Sequence, residues 1–124
     1  MQPLPRPARA GAGRCDSIFA GTYTDPNHAG GEREIFLNTA ARQQIGPYRL
    51  ATVKGGGGRG EPERYRLDAL VEGDKSIVID FTPKGGPDNF KGRFERRDDG
   101  TGGIRFVKDK NFWPKVAECN GSSG

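Results

Sequence analysis

The stretch from Lys75 to Pro87, KSIVIDFTPKGGP, constrains the fold more than any other part of the chain. Its first residues have the side-chain alternation of a β-strand, and a segment rich in proline and glycine then ends that strand. Ile77, Ile79 and Phe81 share one face of an extended segment, since successive side chains of a strand point to opposite sides. Thr82–Pro87 ends the strand, because proline lacks the amide donor of a ladder and the glycine pair favours a turn. The chain is therefore predicted to be built from short strands with one apolar face.

Composition supports this interpretation. Glycine makes up 20 of the 124 residues, about twice its ordinary share, which suits many short strands and turns better than helices. The length is that of one domain with a single core. No run approaches the 18 or so apolar residues of a membrane-spanning helix. We expect an extended N-terminal arm over residues 1–16, a β domain over 17–117 and a flexible C-terminal tail over 118–124.

Similar alternation predicts further strands at a spacing of roughly ten residues. These cover Ile18–Thr24, Glu32–Asn38, Tyr48–Lys54, Glu63–Glu72, Phe90–Glu95 and the stretches that begin at Ile104 and Asn111. Gly73-Asp74 is a two-residue turn, so its flanking strands are expected to pair antiparallel. The pattern predicts an all-β antiparallel meander of about seven or eight short strands closing into a small barrel, with an open two-sheet sandwich as the alternative.

Little helix is expected, and the one place for a helical turn is Thr39–Ile45, which is too short to be stable without packing. The apolar positions of the predicted strands also define a core. The core residues predicted in this way are Tyr65, Leu67, Ile77, Ile79, Phe81, Phe94, Ile104 and Phe106.

The two cysteines, Cys15 and Cys119, lie on either side of the predicted domain and lack the spacing of a metal site. If the ends of the domain meet, a disulfide between them would stabilise the fold by up to about 4 to 5 kcal/mol and would favour an oxidising compartment. Two unrelated thiols are the alternative.

His28 is the sole histidine and lies in a turn with Asp25 and Asn27. Such a set can orient an imidazole or help to bind a metal, but one histidine and one carboxylate leave either site incomplete. The same residues suit a tight turn. Serine and cysteine residues have no neighbouring histidine in the sequence, so nucleophilic catalysis is not indicated. We therefore expect no enzymatic activity, cofactor or metal, with catalysis by Asp25 and His28 as the weakest alternative.

Two further segments resemble ligand-binding patterns. Gly55–Gly60 matches a dinucleotide-binding glycine motif, but the next residues form a turn and a strand where that motif needs a helix, so a flexible hairpin tip is predicted. Phe90–Phe94 combines aromatic residues with cations, as nucleic-acid-binding barrels do. Here the rings alternate with the cations and face the opposite side of the strand. With a net charge of only +4, nucleic acid binding is the weaker alternative.

The element Gly21-Thr22-Tyr23, in a first strand followed by a meander, resembles the opening of lipocalin and avidin-type barrels, in which a glycine precedes an aromatic by two positions. This glycine also permits close approach of a neighbouring backbone. The blocks GTYTDPNH, GGGGRGEP and IDFTPKGGP, over residues 17–116, are similar to a group of small uncharacterised proteins of algae and other photosynthetic lineages. That resemblance implies a plastid or thylakoid location and carries no catalytic residues.

The preferred function is a non-catalytic accessory subunit that docks peripherally on a larger assembly, which the resemblance suggests is a photosynthetic membrane complex. Glycine-rich tips and proline-bounded loops are typical of contact surfaces. The predicted partner-binding residues are Asp25, Asn27, His28, Gly56, Gly57, Arg59 and Lys84. The alternative is a carrier that holds a small apolar ligand inside the barrel.

Overall fold

The computed structural model describes residues 15–38 and 44–119. Its strands are β1 (Gly21–Thr24), β2 (Glu32–Leu37), β3 (Gln44–Ile45), β4 (Tyr48–Gly56), β5 (Tyr65–Glu72), β6 (Ser76–Ile79), β7 (Phe90–Arg96), β8 (Gly102–Phe106) and β9 (Phe112–Glu118). Of the expected helical turn at Thr39–Ile45, Gln44 and Ile45 form β3 and the remaining residues lie outside the described ranges.

The strands form one antiparallel sheet that closes on itself. β1 pairs with both β2 and β9, and β2 also pairs with β4. From β4 to β9 each strand pairs with the next one along the chain. The short β3 adds only two residues beside the start of β4, so eight strands complete the barrel. The predicted all-β meander barrel is confirmed, and the continuous ladder distinguishes it from a sandwich.

Helical structure within the described ranges is limited to two short 3₁₀ turns, Pro26–His28 and Thr82–Lys84. The second turn ends at Gly85, whose φ of 89° lies in the left-handed region that glycine adopts without strain. Two residues separate this turn from the end of β6, and it lies in the segment whose proline and glycine residues predict the end of a strand. In the part of the chain that the structure describes, no helix is long and apolar enough to cross a membrane.

The core lies inside the barrel and comes from the inward positions of the strands. On β5, Tyr65, Leu67, Ala69 and Val71 are buried, whereas Arg66 and Asp68 are exposed, which is the alternation that the sequence predicts. Seven of the eight predicted core residues are buried, and Phe94 is half-buried against the cluster. Three aromatic residues outside the predicted core are also almost completely buried, namely Phe19, Tyr23 and Trp113.

Gly21 permits the close contact between β1 and β9 that helps to complete the barrel. Its φ is +153°, and a Cβ there would lie 2.7 Å from the carbonyl oxygen of Ala117 and would overlap the side chain of Lys115. Glycine is therefore required for the register in which Gly21 pairs with Glu118. The close backbone approach predicted at this glycine is confirmed.

A disulfide joins the two ends of the barrel domain. Cys15 precedes β1 and Cys119 follows β9, their Cα atoms are 5.5 Å apart, and their sequence separation is 104. Asp16 also lies close to the barrel, because its carboxylate contacts Nη2 of Arg49 on β4 at 3.2 Å. The described ends of the expected arm and tail are thus attached to the domain.

The disulfide is expected to contribute about 4 to 5 kcal/mol to the free energy of unfolding, because a cross-link across so long a loop removes much of the entropy of the unfolded chain. The double substitution of Cys15 and Cys119 by serine should lower stability by this amount, measured by urea unfolding under oxidising conditions. Adding a thiol reductant to the natural protein should reproduce the loss and leave the double variant unchanged. An unchanged urea midpoint in the double variant would contradict the expectation.

Candidate functional site

Three loops meet over one end of the barrel and form what we call the loop cap, made of residues 25–31, 57–64 and 80–89. The first two loops are joined by hydrogen bonds between His28 Nδ1 and the Arg59 carbonyl, at 2.8 Å, and from the Arg59 amide to the Ala29 carbonyl, at 2.9 Å. Lys84, in the third loop, lies 2.8 Å from the carboxylate of Glu61 in the second. The three loops therefore form one connected structure.

The glycine run lies at the tip of the hairpin from β4 to β5, as the sequence predicts, and its backbone is held by hydrogen bonds. Gly55 and Gly56 belong to β4, and Gly58 is buried. The amide of Gly57 donates to the carbonyl of Pro62 at 2.9 Å, and the amide of Gly58 donates to the Glu61 carboxylate at 3.0 Å. The run is thus a hydrogen-bonded turn packed against the first loop.

A fully buried arginine lies beneath the loop cap. Arg33 is on β2, on the inward face with Ile35 and Leu37, and its side chain has no exposed surface. Its Nε donates to the hydroxyl of Tyr65 at 3.0 Å, and its Nη2 donates to the carboxylate of Glu61 at 2.8 Å. A charge in this position is tolerated only because several groups compensate it.

Trp113 and Asp25 supply further compensation to the guanidinium of Arg33. The central carbon of this group lies 4.8 Å from the centre of the Trp113 ring, a distance typical of a cation–π contact. The carboxylate of Asp25 lies 4.0 Å from Nη2. Among the described residues Nη1 has no hydrogen-bond partner, so the compensation of the charge comes from the contacts of Nε and Nη2 and from the Trp113 ring.

Glu61 is the acceptor at the centre of this cluster. Its side chain is fully buried and accepts hydrogen bonds from Arg33, Lys84 and the amide of Gly58. Burial alone would raise the pKa of this carboxyl group, but the hydrogen bond from Lys84 and the charges of Arg33 and Lys84 hold its pKa below the ordinary value. Burial raises the pKa of the neighbouring Tyr65 hydroxyl, although the charge of Arg33 opposes this.

A pocket of about 260 Å³ opens between the loop cap and the loop from β8 to β9, and we call it the mouth pocket. Its floor is aromatic, consisting of Phe81, Phe90, Phe106 and Trp113. The rings pack closely: Phe106 and Trp113 are edge to face with centroids 4.8 Å apart, and Phe90 stacks on Phe106 at 5.3 Å. Such contacts hold the ring positions and make the floor a preformed apolar surface.

The rim of the mouth pocket is polar. Asn111 lies between two carboxylates: its side-chain amide donates to Asp25 at 3.0 Å, and its backbone amide donates to Asp109 at 2.9 Å. The same oxygen of Asp25 accepts the amide of Asn27 at 2.8 Å. Lys84 and His28 line other parts of the rim. The pocket thus combines apolar rings with several groups that can bind a ligand directionally.

The structure brings the residues predicted for partner binding to one end of the barrel. Asp25, Asn27, His28 and Lys84 line the mouth pocket. Gly56, Gly57 and Arg59 belong to the end of β4 and the adjoining turn, where Arg59 contributes its backbone to the loop cap and exposes its side chain.

Sequence reasoning missed the residues that build the centre of this site. These are Arg33, Glu61, Tyr65, Phe90, Asp109, Asn111 and Trp113. One signal was present, because Arg33 has the same strand phase as the apolar Ile35 and Leu37 and so had to point inward. Nothing local distinguishes Glu61 from the exposed Glu63 two positions later.

The hydrogen bonds of the site do not assemble the acid–base pair considered for Asp25 and His28. Asp25 accepts from Asn27 and Asn111, while the His28 ring bonds to the Arg59 carbonyl. Across residues 15–38 and 44–119, no group of three or more His, Cys, Asp or Glu side chains is placed to hold a metal ion.

Replacing Glu61 should be strongly destabilising, because it leaves the buried Arg33 and the nearly buried Lys84 without their shared carboxylate. For Glu61→Ala we expect a loss of about 3 to 5 kcal/mol in the free energy of unfolding, measured with urea. Glu63→Ala, an exposed change in the same loop, is the matched control and should stay within about 0.5 kcal/mol. Equal effects of the two substitutions would show that the buried pair is not needed.

The lowered pKa of Glu61 also predicts a pH dependence. A carboxyl group with a lowered folded-state pKa contributes stability that is present above the unfolded-state value of about 4.3 and is lost as pH falls through the folded-state value. The stability difference between the natural protein and Glu61→Gln should therefore be constant near neutral pH and shrink progressively below about pH 4. Urea unfolding at a series of pH values measures it, and a difference that does not change with pH would contradict the assignment.

Comparison with known proteins adds no relative from which a function can be transferred. No protein-family model, curated protein or solved structure matches this chain.

Proposed function

We propose that this protein is a non-catalytic carrier that binds one small organic molecule in the mouth pocket. The observation that supports this most directly is the pocket itself, in which a floor of four aromatic rings is surrounded by polar groups at an open end of the barrel. Ligand sites in proteins typically have this composition, and the mouths of β-barrels are a common position for them.

The proposed ligand position differs from the fully internal one expected for a carrier. The barrel interior is filled by core side chains such as Val53, Leu67, Ile77 and Ile104, all of which have 1% or less of their surface exposed. A ligand would therefore rest on top of this core and not within it. At about 260 Å³ the pocket is slightly smaller than the range of about 300–1,000 Å³ typical of drug-sized ligands, which favours a molecule of about one ring with a short substituent.

The hydrogen bonds of the loop cap support binding because they order the pocket walls in advance. His28 is held by Arg59, Lys84 by Glu61, and Asp25 by Asn27 and Asn111. Ordering loops on binding costs conformational entropy, and walls that are already bonded to one another avoid much of this cost.

Docking on a larger assembly is the second proposal. Asn27, Gly57 and Arg59 are exposed on the outer surface of the loop cap, where a partner protein has access to them. The photosynthetic membrane complex and plastid location implied by the algal resemblance belong to this proposal. It predicts that the protein sediments with a large complex in native cell extract.

The carrier proposal predicts that protein purified from its native cells under non-denaturing conditions carries a small molecule, detected by native mass spectrometry. Titrated back into stripped protein, this molecule should change the fluorescence of Trp113, the single tryptophan of the chain and part of the pocket floor. Phe90→Ala should weaken binding about ten-fold by removing one ring of that floor.

Phe94→Ala is the matched control, because Phe94 is also a half-buried phenylalanine on β7 but lines a different pocket near the turn from β7 to β8. It should leave the affinity nearly unchanged. A native protein that carries no small molecule but runs in a stable large complex would favour the docking proposal and reject the carrier.

A further inference from the structure

The charges around the mouth pocket indicate which class of ligand it takes. Besides His28, the ionisable residues that line it are Asp25, Asp109 and Lys84. The ammonium of Lys84 lies 2.8 Å from the buried carboxylate of Glu61, which it shares with Arg33, and Arg33 also lies 4.0 Å from Asp25. These two cations are thus balanced by Glu61 and Asp25, and the charge of Asp109 is left over. The lining therefore has an excess of negative charge, although the whole chain has a net charge of +4.

From this arrangement we infer that the pocket binds a small organic cation, an aromatic or alicyclic amine whose ring rests on the aromatic floor and whose ammonium faces Asp25 and Asp109. The inference rests on the carrier function proposed above and specifies the chemistry of its ligand.

The two carboxylates are close to each other and differ in how far the protein compensates them. Asn111 donates to both, which places them on either side of one residue at the same part of the rim. Asp25 also accepts the Asn27 amide and lies 4.0 Å from Arg33, so much of its charge is balanced. Asp109 is exposed and accepts the amide of Asn111. Asp109 is therefore the stronger attraction for a bound cation.

Lys84 provides a second and independent observation. Its ammonium lies 4.4 Å from the centre of the Tyr65 ring and 5.7 Å from that of Phe81, while it is bonded to Glu61. The protein thus already holds one ammonium group between ring faces and a carboxylate at the edge of this pocket. The mouth pocket offers a ligand the same kinds of groups, since aromatic rings form its floor and the carboxylates of Asp25 and Asp109 lie at its rim.

An anionic ligand fits this site poorly. Lys84 is paired with Glu61, and the buried Arg33 is compensated by Glu61, Asp25 and the Trp113 ring. An anion would have to separate Lys84 from Glu61, leaving a buried carboxylate without one of its partners, and it would meet the charges of Asp25 and Asp109.

Three probes with the same ring separate the possibilities: benzylamine, benzyl alcohol and benzoate. Trp113 fluorescence gives the affinity of the full chain for each, and values of about millimolar are expected for ligands of this size. Benzylamine should bind at least about five-fold more tightly than benzyl alcohol, and benzoate should bind most weakly. Added salt should weaken the binding of benzylamine and leave that of benzyl alcohol unchanged.

The substitution Asp109→Asn tests the ionic part directly. An asparagine keeps an oxygen for the Asn111 amide, so the loop should be preserved while the charge is lost. We expect benzylamine affinity to fall about five-fold and benzyl alcohol affinity to stay the same. Asp99→Asn is the matched control, because Asp99 is also exposed and accepts the amide two residues later, but it lies in the turn from β7 to β8. It should change neither affinity.

Each other outcome overturns a definite part of the interpretation. Benzyl alcohol or benzoate binding as tightly as benzylamine, or equal effects of the two aspartate substitutions, would reject the cation and leave the carrier function standing. If no probe binds, the cation is also rejected. The carrier function itself fails only if the protein from its native cells, in addition, carries no small molecule.

Discussion

The buried guanidinium of Arg33 is the constraint on which the functional end of the barrel depends. A charge removed from water costs several kcal/mol unless it is paired and hydrogen-bonded, so the surrounding chain has to bring partners to it. Those partners come from separate elements: Tyr65 from β5, Glu61 from the loop before β5, and Trp113 from β9. The hydrogen bonds and the charge compensation that Arg33 requires thereby position two strands and a loop.

The same cluster connects the barrel to its loops. Glu61 also accepts from Lys84 and from the Gly58 amide, so loops that would be free to move by composition alone are joined to the core. At the other end of the barrel, the disulfide between Cys15 and Cys119 joins the residue after β9 to the segment before β1. One end is thus held covalently, and the end with the mouth pocket is held by buried charges and hydrogen bonds.

A pocket beside such a cluster has an electrostatic character that the net charge of the chain does not reveal. Among residues 15–38 and 44–119 most basic side chains are exposed, as on β7, where Lys91 and Arg93 are exposed and Phe90 and Phe94 are half-buried. This separation of Phe90 and Phe94 from Lys91 and Arg93 weakens the case for nucleic acid binding, since a base stacked on either ring would lie on the opposite face of the strand from these two cations. Inside the mouth, Arg33 and Lys84 share the carboxylate of Glu61 and Arg33 also faces Asp25, so the exposed carboxylate of Asp109 contributes most of the uncompensated charge.

The sequence by itself determined the all-β meander, because alternation such as that of Tyr65, Leu67 and Ala69 and turns such as Gly73-Asp74 depend only on neighbouring residues. The phase that Arg33 shares with Ile35 and Leu37 also indicates an inward position, although this signal was not used to predict the site. Only the tertiary structure decided which groups meet that arginine, that Cys15 pairs with Cys119, and that Asn111 reaches Asp25 across 86 residues. Each of these contacts forms only once the barrel has closed. Closure brings together residues that are far apart in the sequence, and no local pattern of the chain indicates which of them will meet.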